Sequence, residues 1–269
     1  MNRVAAIQMA SGPNVQANLD QTADLLAEAA GRGARLVALP ENFGLIGKDE
    51  RVKLDHAEAD GHGPMQDFLA AAAARHGVWI IGGTVPLATP AGNRIRQSLL
   101  VHDAAGRRVA RYDKMHLFDV RLEGGESYRE SSTIEPGEEL VALDSPLGRL
   151  GLTICYDLRF PELYRQLGAE GAEIFVAPSA FTKVTGRAHW EVLVRARAIE
   201  NLAFVLAPAQ GGYHVNERET WGHSMIVDPW GTVLAQRDHG TGVVVADLDP
   251  QMLARTRQNF PAIQHRRLA

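Results

Sequence analysis

The sequence contains a single cysteine, Cys155, among 269 residues. One thiol cannot form an internal disulfide, so a disulfide framework is excluded and a reducing, cytoplasmic location is expected. Basic residues are not in excess either, because 28 Lys and Arg face 32 Asp and Glu, for a net charge of −4. No stretch gathers enough of them to suggest a nucleic-acid groove, so we expect no nucleic-acid partner.

Long apolar runs are missing as well, although 45% of the residues are hydrophobic. No run approaches the ~20 residues that span a bilayer, which predicts no membrane partner. Residues 1–9 hold one basic residue and a short apolar run, which favours a first buried strand over a secretory signal. We therefore expect a cytoplasmic protein with one domain over residues 1–269, long enough to bury a full core.

Metal-binding patterns are absent from the sequence. Ten histidines are present, but the closest pair, His56 and His62, are six positions apart, and no His-Glu-x-x-His segment occurs. These spacings do not match the usual zinc motifs. The sequence therefore predicts no metal site.

Strand and helix patterns alternate along the chain, without repeats or linkers. The predicted helices are residues 18–31, 64–76, 161–168 and 188–201, and the predicted strands are 4–9, 35–39, 78–83, 95–102, 107–112, 149–154, 173–177 and 203–207, with a hairpin over 225–235. Such alternation is typical of the α/β class, in which helices cover the faces of a sheet. Several strands follow one another without a helix, which argues against an eight-fold barrel and a simple doubly wound sheet.

Cys155 lies between the apolar run 150–154 and a helix that Pro161 should begin. A thiol at such a bend points into a cleft beside backbone N–H groups, which can favour the thiolate and hold an oxyanion. For this segment alone, a buried cysteine that acts as a small hydrophobe is the more common outcome.

Three charged residues share a similar setting. Glu41 and Lys114 each close a strand, and Glu130 follows in the polar loop 124–137. Each one alone is most simply a solvated rim charge. Together with Cys155 they form a complete set for acyl transfer: a carboxylate base, provided that burial raises its pKa, and an ammonium that stabilises a tetrahedral intermediate.

With these residues in this order, the chain resembles a known family, the nitrilase or carbon–nitrogen hydrolase superfamily. The resemblance extends from about residue 4 to about residue 248. It rests on the following segments in order: Leu39-Pro40-Glu41-Asn42, Tyr112-Asp113-Lys114-Met115-His116, Gly151-Leu152-Thr153-Ile154-Cys155-Tyr156-Asp157-Leu158-Arg159-Phe160-Pro161-Glu162, Ala177-Pro178-Ser179-Ala180-Phe181, Ala188-His189-Trp190-Glu191, Arg195-Ala196-Arg197-Ala198-Ile199-Glu200-Asn201 and Gly222-His223-Ser224-Met225.

The resemblance implies a four-layer α-β-β-α sandwich and a role for each matching residue. Glu41 would be the general base, Lys114 the electrostatic stabiliser and Cys155 the nucleophile. Glu130 would be a second carboxylate that supports Lys114, and the backbone N–H of Tyr156 would complete the oxyanion hole. Catalysis would proceed through a thioester on Cys155 and would need no metal or organic cofactor.

The same resemblance implies a homodimer or higher homo-oligomer that pairs through helices 161–168 and 188–201. The C-terminal tail, residues 260–267, would reach towards the partner subunit.

The segments around the site look most like the branch that hydrolyses deaminated glutathione. Its neighbours include ω-amidase, which acts on α-ketoglutaramate, and N-carbamoyl amino acid amidohydrolases, and the catalytic residues do not separate these branches. A keto acid amide carries a carboxylate that a guanidinium or ammonium could bind. The candidates are Arg121, Lys183 and Arg187, with Phe181 and His116 lining the site; Arg159 could instead be structural. The family commonly has Pro rather than Arg at position 187.

Two other classes of function remain open at this level. A Schiff-base enzyme would use Lys114 as its nucleophile but would not explain Cys155 or the flanking acids. A catalytically inactive binding scaffold would tolerate loss of the nucleophile or the base, and both are present.

Overall fold

The computed structural model describes residues 2–122 and 127–267. The α-helices of this part of the chain are α1 (Val15–Gly31), α2 (Val52–Asp55), α3 (Pro64–His76), α4 (Pro161–Ala169), α5 (Lys183–Asn201) and α6 (Pro250–Asn259). Short 3-10 helices cover Glu130–Ser132, Cys155–Arg159 and Ala262–His265. No helix among the described residues is both long and apolar enough to cross a bilayer.

The strands of the described chain are β1 (Arg3–Gln8), β2 (Leu36–Ala38), β3 (Trp79–Ile81), β4 (Val85–Ala88), β5 (Ile95–His102), β6 (Arg108–Asp113), β7 (Asp119–Arg121), β8 (Ser127–Arg129), β9 (Ala142–Ser145), β10 (Gly148–Leu152), β11 (Ile174–Val176), β12 (Phe204–Ala207), β13 (Gly211–Tyr213), β14 (Glu219–Trp221), β15 (Ser224–Val227), β16 (Val233–Arg237) and β17 (Gly242–Asp247). The first sheet has the order β17-β1-β2-β3-β5-β4, with β6 on β5. The second has the order β16-β15-β12-β11-β10-β9. β7 pairs with β8 and β13 with β14 in two-stranded hairpins.

The alternation of side chains along β1 shows how the layers stack. Ala5 and Ile7 belong to an apolar cluster with residues of α1 and α3, whereas Val4 and Ala6 belong to the cluster that includes the second sheet. Successive residues of a strand point to opposite faces, so the first sheet has helices on one side and the second sheet on the other.

Helices α4 and α5 cover the outer face of the second sheet. The ring of Tyr164 on α4 lies 5.0 Å from that of Phe175 on β11, and Trp190 of α5 is fully buried. The molecule is therefore a four-layer α-β-β-α sandwich, and the predicted fold class is confirmed.

The strand directions bring several chain segments to one edge of this sandwich. β1, β2 and β3 are parallel, and so are β10, β11 and β12. β6 is antiparallel to β5, which is antiparallel to β3, so β6 runs with β3. The segments that follow β2, β6 and β10 carry Glu41, Lys114 and Cys155 respectively. The two sheets thus contribute different members of one site.

Candidate active site

Lys114 lies at the centre of a buried cluster of charges. Its Nζ donates hydrogen bonds to Glu41 Oε1 at 2.8 Å and to both carboxylate oxygens of Glu130 at 3.0 and 2.8 Å. Its side chain is 0% exposed. An ammonium held by two carboxylates at these distances is fixed in position, because its three N–H groups all have partners.

Glu130 is held from a second direction as well. It begins the 3-10 helix Glu130–Ser132, and its Oε2 accepts a hydrogen bond from the backbone N–H of Phe118 at 2.8 Å. The Glu130 carboxylate therefore ties the segment after Lys114 to the Lys114 ammonium. Phe118 and Glu130 are therefore both held at the site.

Cys155 follows the strand β10 and opens the 3-10 helix Cys155–Arg159. Its φ is 48°, in the left-handed region that non-glycine residues rarely adopt. The backbone N–H of Cys155 donates to Pro178 O at 2.9 Å, and the N–H of Ala180 points at Sγ from 3.5 Å. The Glu41 carboxylate lies close enough to the thiol to act on its pKa. The side chain is mostly buried, and it lines a small cavity together with Glu41 and Glu130.

The turn after Cys155 is organised by the buried carboxylate of Asp157. Its Oδ2 accepts from the Tyr112 hydroxyl at 2.7 Å and from the Ile154 backbone N–H at 2.8 Å. Its Oδ1 accepts from the His116 backbone N–H at 3.1 Å and lies 2.7 Å from His116 Nδ1. This carboxylate connects the chain beside Lys114 with the chain on both sides of Cys155.

The protonation states of the cluster follow from burial and from its neighbours. Burial acts to raise the pKa of Glu41, but the Lys114 ammonium outweighs it and lowers that pKa below its usual value. Burial likewise opposes the charge of Lys114, yet Glu130 and Glu41 raise its pKa well above the usual value. Burial, reinforced by the Glu41 carboxylate, raises the pKa of the Cys155 thiol far above its usual value.

The resting site therefore holds a carboxylate, an ammonium and a neutral thiol. This differs in two respects from the sequence-based expectation. The pKa of Glu41 is lowered rather than raised, because the contact with Lys114 dominates over burial. The surroundings of Cys155 disfavour the thiolate, because burial opposes the charged form and the Glu41 carboxylate repels a second negative charge.

The residues predicted to bind substrate are not all brought to the cavity. Phe181 lines it, whereas Lys183 points away, 53% exposed and paired with Glu219 at 2.7 Å. Arg121 and Arg187 are exposed and are not among the residues that line the cavity. His116 stacks on Phe160 with ring centroids 3.6 Å apart, so it supports the turn of Asp157 rather than facing the cavity.

Two arginines line the cavity instead. The Arg159 guanidinium lies over Phe181, with 5.2 Å between its Cζ and the ring centroid. Arg218 directly precedes β14 and donates a hydrogen bond to Ala180 O. The sequence offered a signal for Arg159, which follows the nucleophile in the same motif. It offered none for Arg218, which stands in a polar stretch outside the recognised segments.

Comparison with known proteins identifies the family. Residues 3–258 match the family model described as carbon-nitrogen hydrolase. The chain therefore belongs to the carbon–nitrogen hydrolase family, as the motifs predicted, and is a hydrolase of non-peptide carbon–nitrogen bonds.

Similar proteins of known name cover nearly the whole chain. A deaminated glutathione amidase of Synechocystis sp. is 44% identical over 266 residues, 97% of each chain. The deaminated glutathione amidase of Homo sapiens is 41% identical over 268 residues, 98% of this chain and 82% of that protein. Among solved structures, the NitFhit protein of C. elegans has a TM-score of 0.93 and 37% identity. This chain is covered to 99%, and it spans 65% of the length of that protein.

Proposed function

We propose that this protein is a deaminated glutathione amidase that uses Cys155 as its nucleophile. One observation carries the catalytic part of the proposal: Cys155 lines the same cavity as Glu41, whose carboxylate accepts a hydrogen bond from Lys114. Similarity over nearly the full length to proteins of that name supports the choice of substrate. Deaminated glutathione is an amide between an α-ketoglutaryl group and the amino group of cysteinylglycine.

In the first half of the reaction, the sulfur of Cys155 attacks the amide carbon while Glu41 takes the thiol proton. Since the pKa of the thiol is far above that of Glu41, a free thiolate is scarce and proton transfer must accompany attack. The Lys114 ammonium and the Tyr156 backbone N–H stabilise the oxyanion. The C–N bond then breaks, Glu41 returns the proton to the nitrogen, and cysteinylglycine leaves an acyl thioester on Cys155.

In the second half, water replaces the amine. Glu41, again a carboxylate, takes a proton from water as the hydroxyl oxygen adds to the thioester carbon. The C–S bond breaks, the thiol regains a proton from Glu41, and α-ketoglutarate is released. Glu130 holds Lys114 in place through both halves. These steps require no metal ion or organic cofactor.

The substrate is tested by one side-by-side assay of deaminated glutathione, α-ketoglutaramate, an N-carbamoyl amino acid and a simple nitrile. We expect the highest kcat/KM with deaminated glutathione. A preference for α-ketoglutaramate would make the protein an ω-amidase. A preference for the carbamoyl compound or the nitrile would reject the keto acid branch and leave the mechanism of Cys155 standing.

The nucleophile is tested by Cys155→Ala. We expect turnover of every amide to disappear while the thermal unfolding temperature stays close to that of the wild type, because a buried small side chain is replaced by another. Mass spectrometry of the wild type after incubation with substrate and acid quench should show an acyl adduct at Cys155. Turnover retained by folded Cys155→Ala protein would refute the role and favour a binding scaffold or a different nucleophile.

We also propose that the protein is a cytoplasmic homodimer. The mechanism needs a reduced thiol, and Cys155 is the single cysteine of the sequence, so it has no partner for an internal disulfide. Both points favour a reducing compartment. Helix α5 presents exposed valines, including Val192 at 68%, and Trp230 beside its C-terminal half is 61% exposed. Such an apolar face is typical of a surface that another subunit covers.

A further inference from the structure

Arg218 has an unusual environment for a charged side chain. Its Nε is buried and has no hydrogen-bond partner among the residues that the structure describes. Arg218 lines the cavity that contains Cys155, and its Cζ lies 5.2 Å from the centroid of the Tyr128 ring. A buried N–H donor without an acceptor is costly, so its retention beside a cavity points to an acceptor that arrives with a ligand.

The other contacts of Arg218 hold it ready for such a ligand. One terminal nitrogen donates to Ala180 O, and the face of Tyr128 supports the guanidinium plane. Glu50 lies within the electrostatic reach of Arg218, but its carboxylate forms an ion pair with Lys53 at 2.7 Å. The guanidinium is therefore fixed without being neutralised by a direct carboxylate partner among the described residues.

The contacts between Arg218 and the nucleophile indicate which carboxylate of the substrate Arg218 can reach. Ala180 accepts from Arg218 through its carbonyl and points its own N–H at the sulfur of Cys155. One residue thus separates the guanidinium from the nucleophile. In deaminated glutathione the keto acid carboxylate is joined to the reacting carbonyl by a short aliphatic chain, whereas the glycine carboxylate lies at the far end of the leaving dipeptide.

We propose that Arg218 binds the carboxylate on the acyl side of the substrate and thereby selects keto acid amides over neutral amides. The inference rests on the proposed function, because it assumes that Cys155 attacks an amide of this kind. A guanidinium can offer a carboxylate two parallel N–H donors, and the unpaired Nε is one half of such a fork. Arg218 is a specificity residue and takes no part in proton transfer.

The test compares deaminated glutathione with two monoesters, one methylated at the keto acid carboxylate and one at the glycine carboxylate. The variants are Arg218→Lys, which keeps the charge but loses the fork, and Arg218→Gln, which loses the charge. Arg75→Lys, on the exposed last turn of α3, is the surface control. For each protein, kcat and KM are measured separately on all three substrates.

We expect the wild type and Arg75→Lys to prefer the free keto acid over its ester, and Arg218→Gln to lower kcat/KM on the free acid by about 10- to 100-fold. The same variant should act on the keto acid ester as the wild type does, and its loss on the glycine ester should equal its loss on the free acid. Arg218→Lys should fall between the two.

Three results would overturn the inference. Equal losses on all three substrates would mean that Arg218 only supports the Ala180 carbonyl. A loss that disappears on the glycine ester would assign Arg218 to the other carboxylate. Unchanged preference for the free acid in both variants would leave Arg218 without a role in selection. A wild type that hydrolyses none of the three substrates would instead reject the proposed function itself.

Discussion

Lys114 holds two buried carboxylates together at the residue scale. Glu41 and Glu130 both accept hydrogen bonds from its Nζ, and the ammonium is out of contact with solvent. Attraction between buried charges offsets their desolvation only while both signs are present. The stability of the site therefore depends on Lys114, the group that we propose stabilises the oxyanion.

We expect Lys114→Met to lower the free energy of unfolding by about 3–5 kcal/mol near neutral pH, because it leaves buried carboxylates unpaired. The deficit should shrink as the pH falls. In the wild type, the lowered pKa of Glu41 contributes stability that is lost as the pH falls. In the variant, acid protonates the unpaired carboxylates and removes the cost of burying their charge. Denaturant titrations at several pH values measure both effects. The control Lys183→Met removes an exposed ion pair and should cost less than about 1 kcal/mol.

If Glu41 is the general base, as we propose, its ionisation should set the pH dependence of the reaction. Its pKa is lowered, while the pKa values of Cys155 and Lys114 are raised. We therefore expect kcat/KM to stay on a plateau down to about pH 5, with its acid limb below the ordinary range of glutamate. Glu41→Gln should abolish kcat at every pH with little change in substrate binding. Glu138→Gln, on an exposed acid outside the site, should reproduce the wild-type profile; an acid limb near neutrality would contradict the assignment.

The element that presents the nucleophile is the turn between β10 and α4. Asp157 binds the Tyr112 hydroxyl and the backbone N–H groups of Ile154 and His116 around this turn. A turn with φ of 48° at Cys155 needs such support, because the conformation is unfavourable by itself.

Removal of that support should loosen the turn. We expect Asp157→Ala to lower the free energy of unfolding by about 3 kcal/mol or more, since several buried donors lose their acceptor together. It should also lower kcat more than it raises KM, because the sulfur would no longer be held beside Glu41. Asp144→Ala, which removes an exposed acid of β9 paired with Arg149, should change stability by less than about 0.5 kcal/mol. A stable, fully active Asp157→Ala enzyme would show that the backbone alone fixes the turn.

Local signals explain which elements could be predicted from sequence. Helix α3 occupies the predicted residues 64–76, because Pro64 begins it and Gly77, at φ 63°, ends it. Helix α5 begins five residues earlier than predicted: Thr182 caps it, and the poor helix formers Val184 to Gly186 concealed its first turn. Strand β17 was not predicted. It pairs with β1 from the opposite end of the chain, and no local pattern encodes that partner.

The candidate site could be predicted from the sequence only in part. Glu41, Lys114 and Cys155 each follow a strand, so their approach to one another was predictable from strand ends and motifs. Arg218 was not, because its place depends on how the β13–β14 hairpin packs against α5 and the segment before it. That fold is fixed by distant contacts, such as the hydrogen bond from Trp221 N to Phe181 O at 3.0 Å. Arg218, unlike Arg159, could therefore be assigned to the cavity only from the three-dimensional structure.

At the scale of the whole molecule, one exposed apolar surface that bears on assembly is the outer face of α5. Val192 and Ile199 lie on one side of this helix, beside the packed rings of Trp230 and Phe260. We expect Val192→Lys to shift the protein from dimer to monomer in sedimentation velocity at micromolar concentration, because a charge would be buried in the interface. Val109→Lys, at an exposed position of β6 on the other sheet, should leave the dimer intact. A wild type that sediments as a monomer would refute the proposed assembly.

The proposed catalytic groups are divided between two sheets, so the reactivity of the thiol should depend on whether the two sheets have docked. Glu41 and Lys114 belong to segments of the first sheet, and the sulfur of Cys155 to the second. A state in which each sheet had formed but the two had not yet docked would show native-like secondary structure and no turnover. Its thiol, the sole one in the sequence, would lie away from Glu41 and open to an alkylating reagent. The rate of alkylation during refolding would therefore show when the two sheets dock, without any added label.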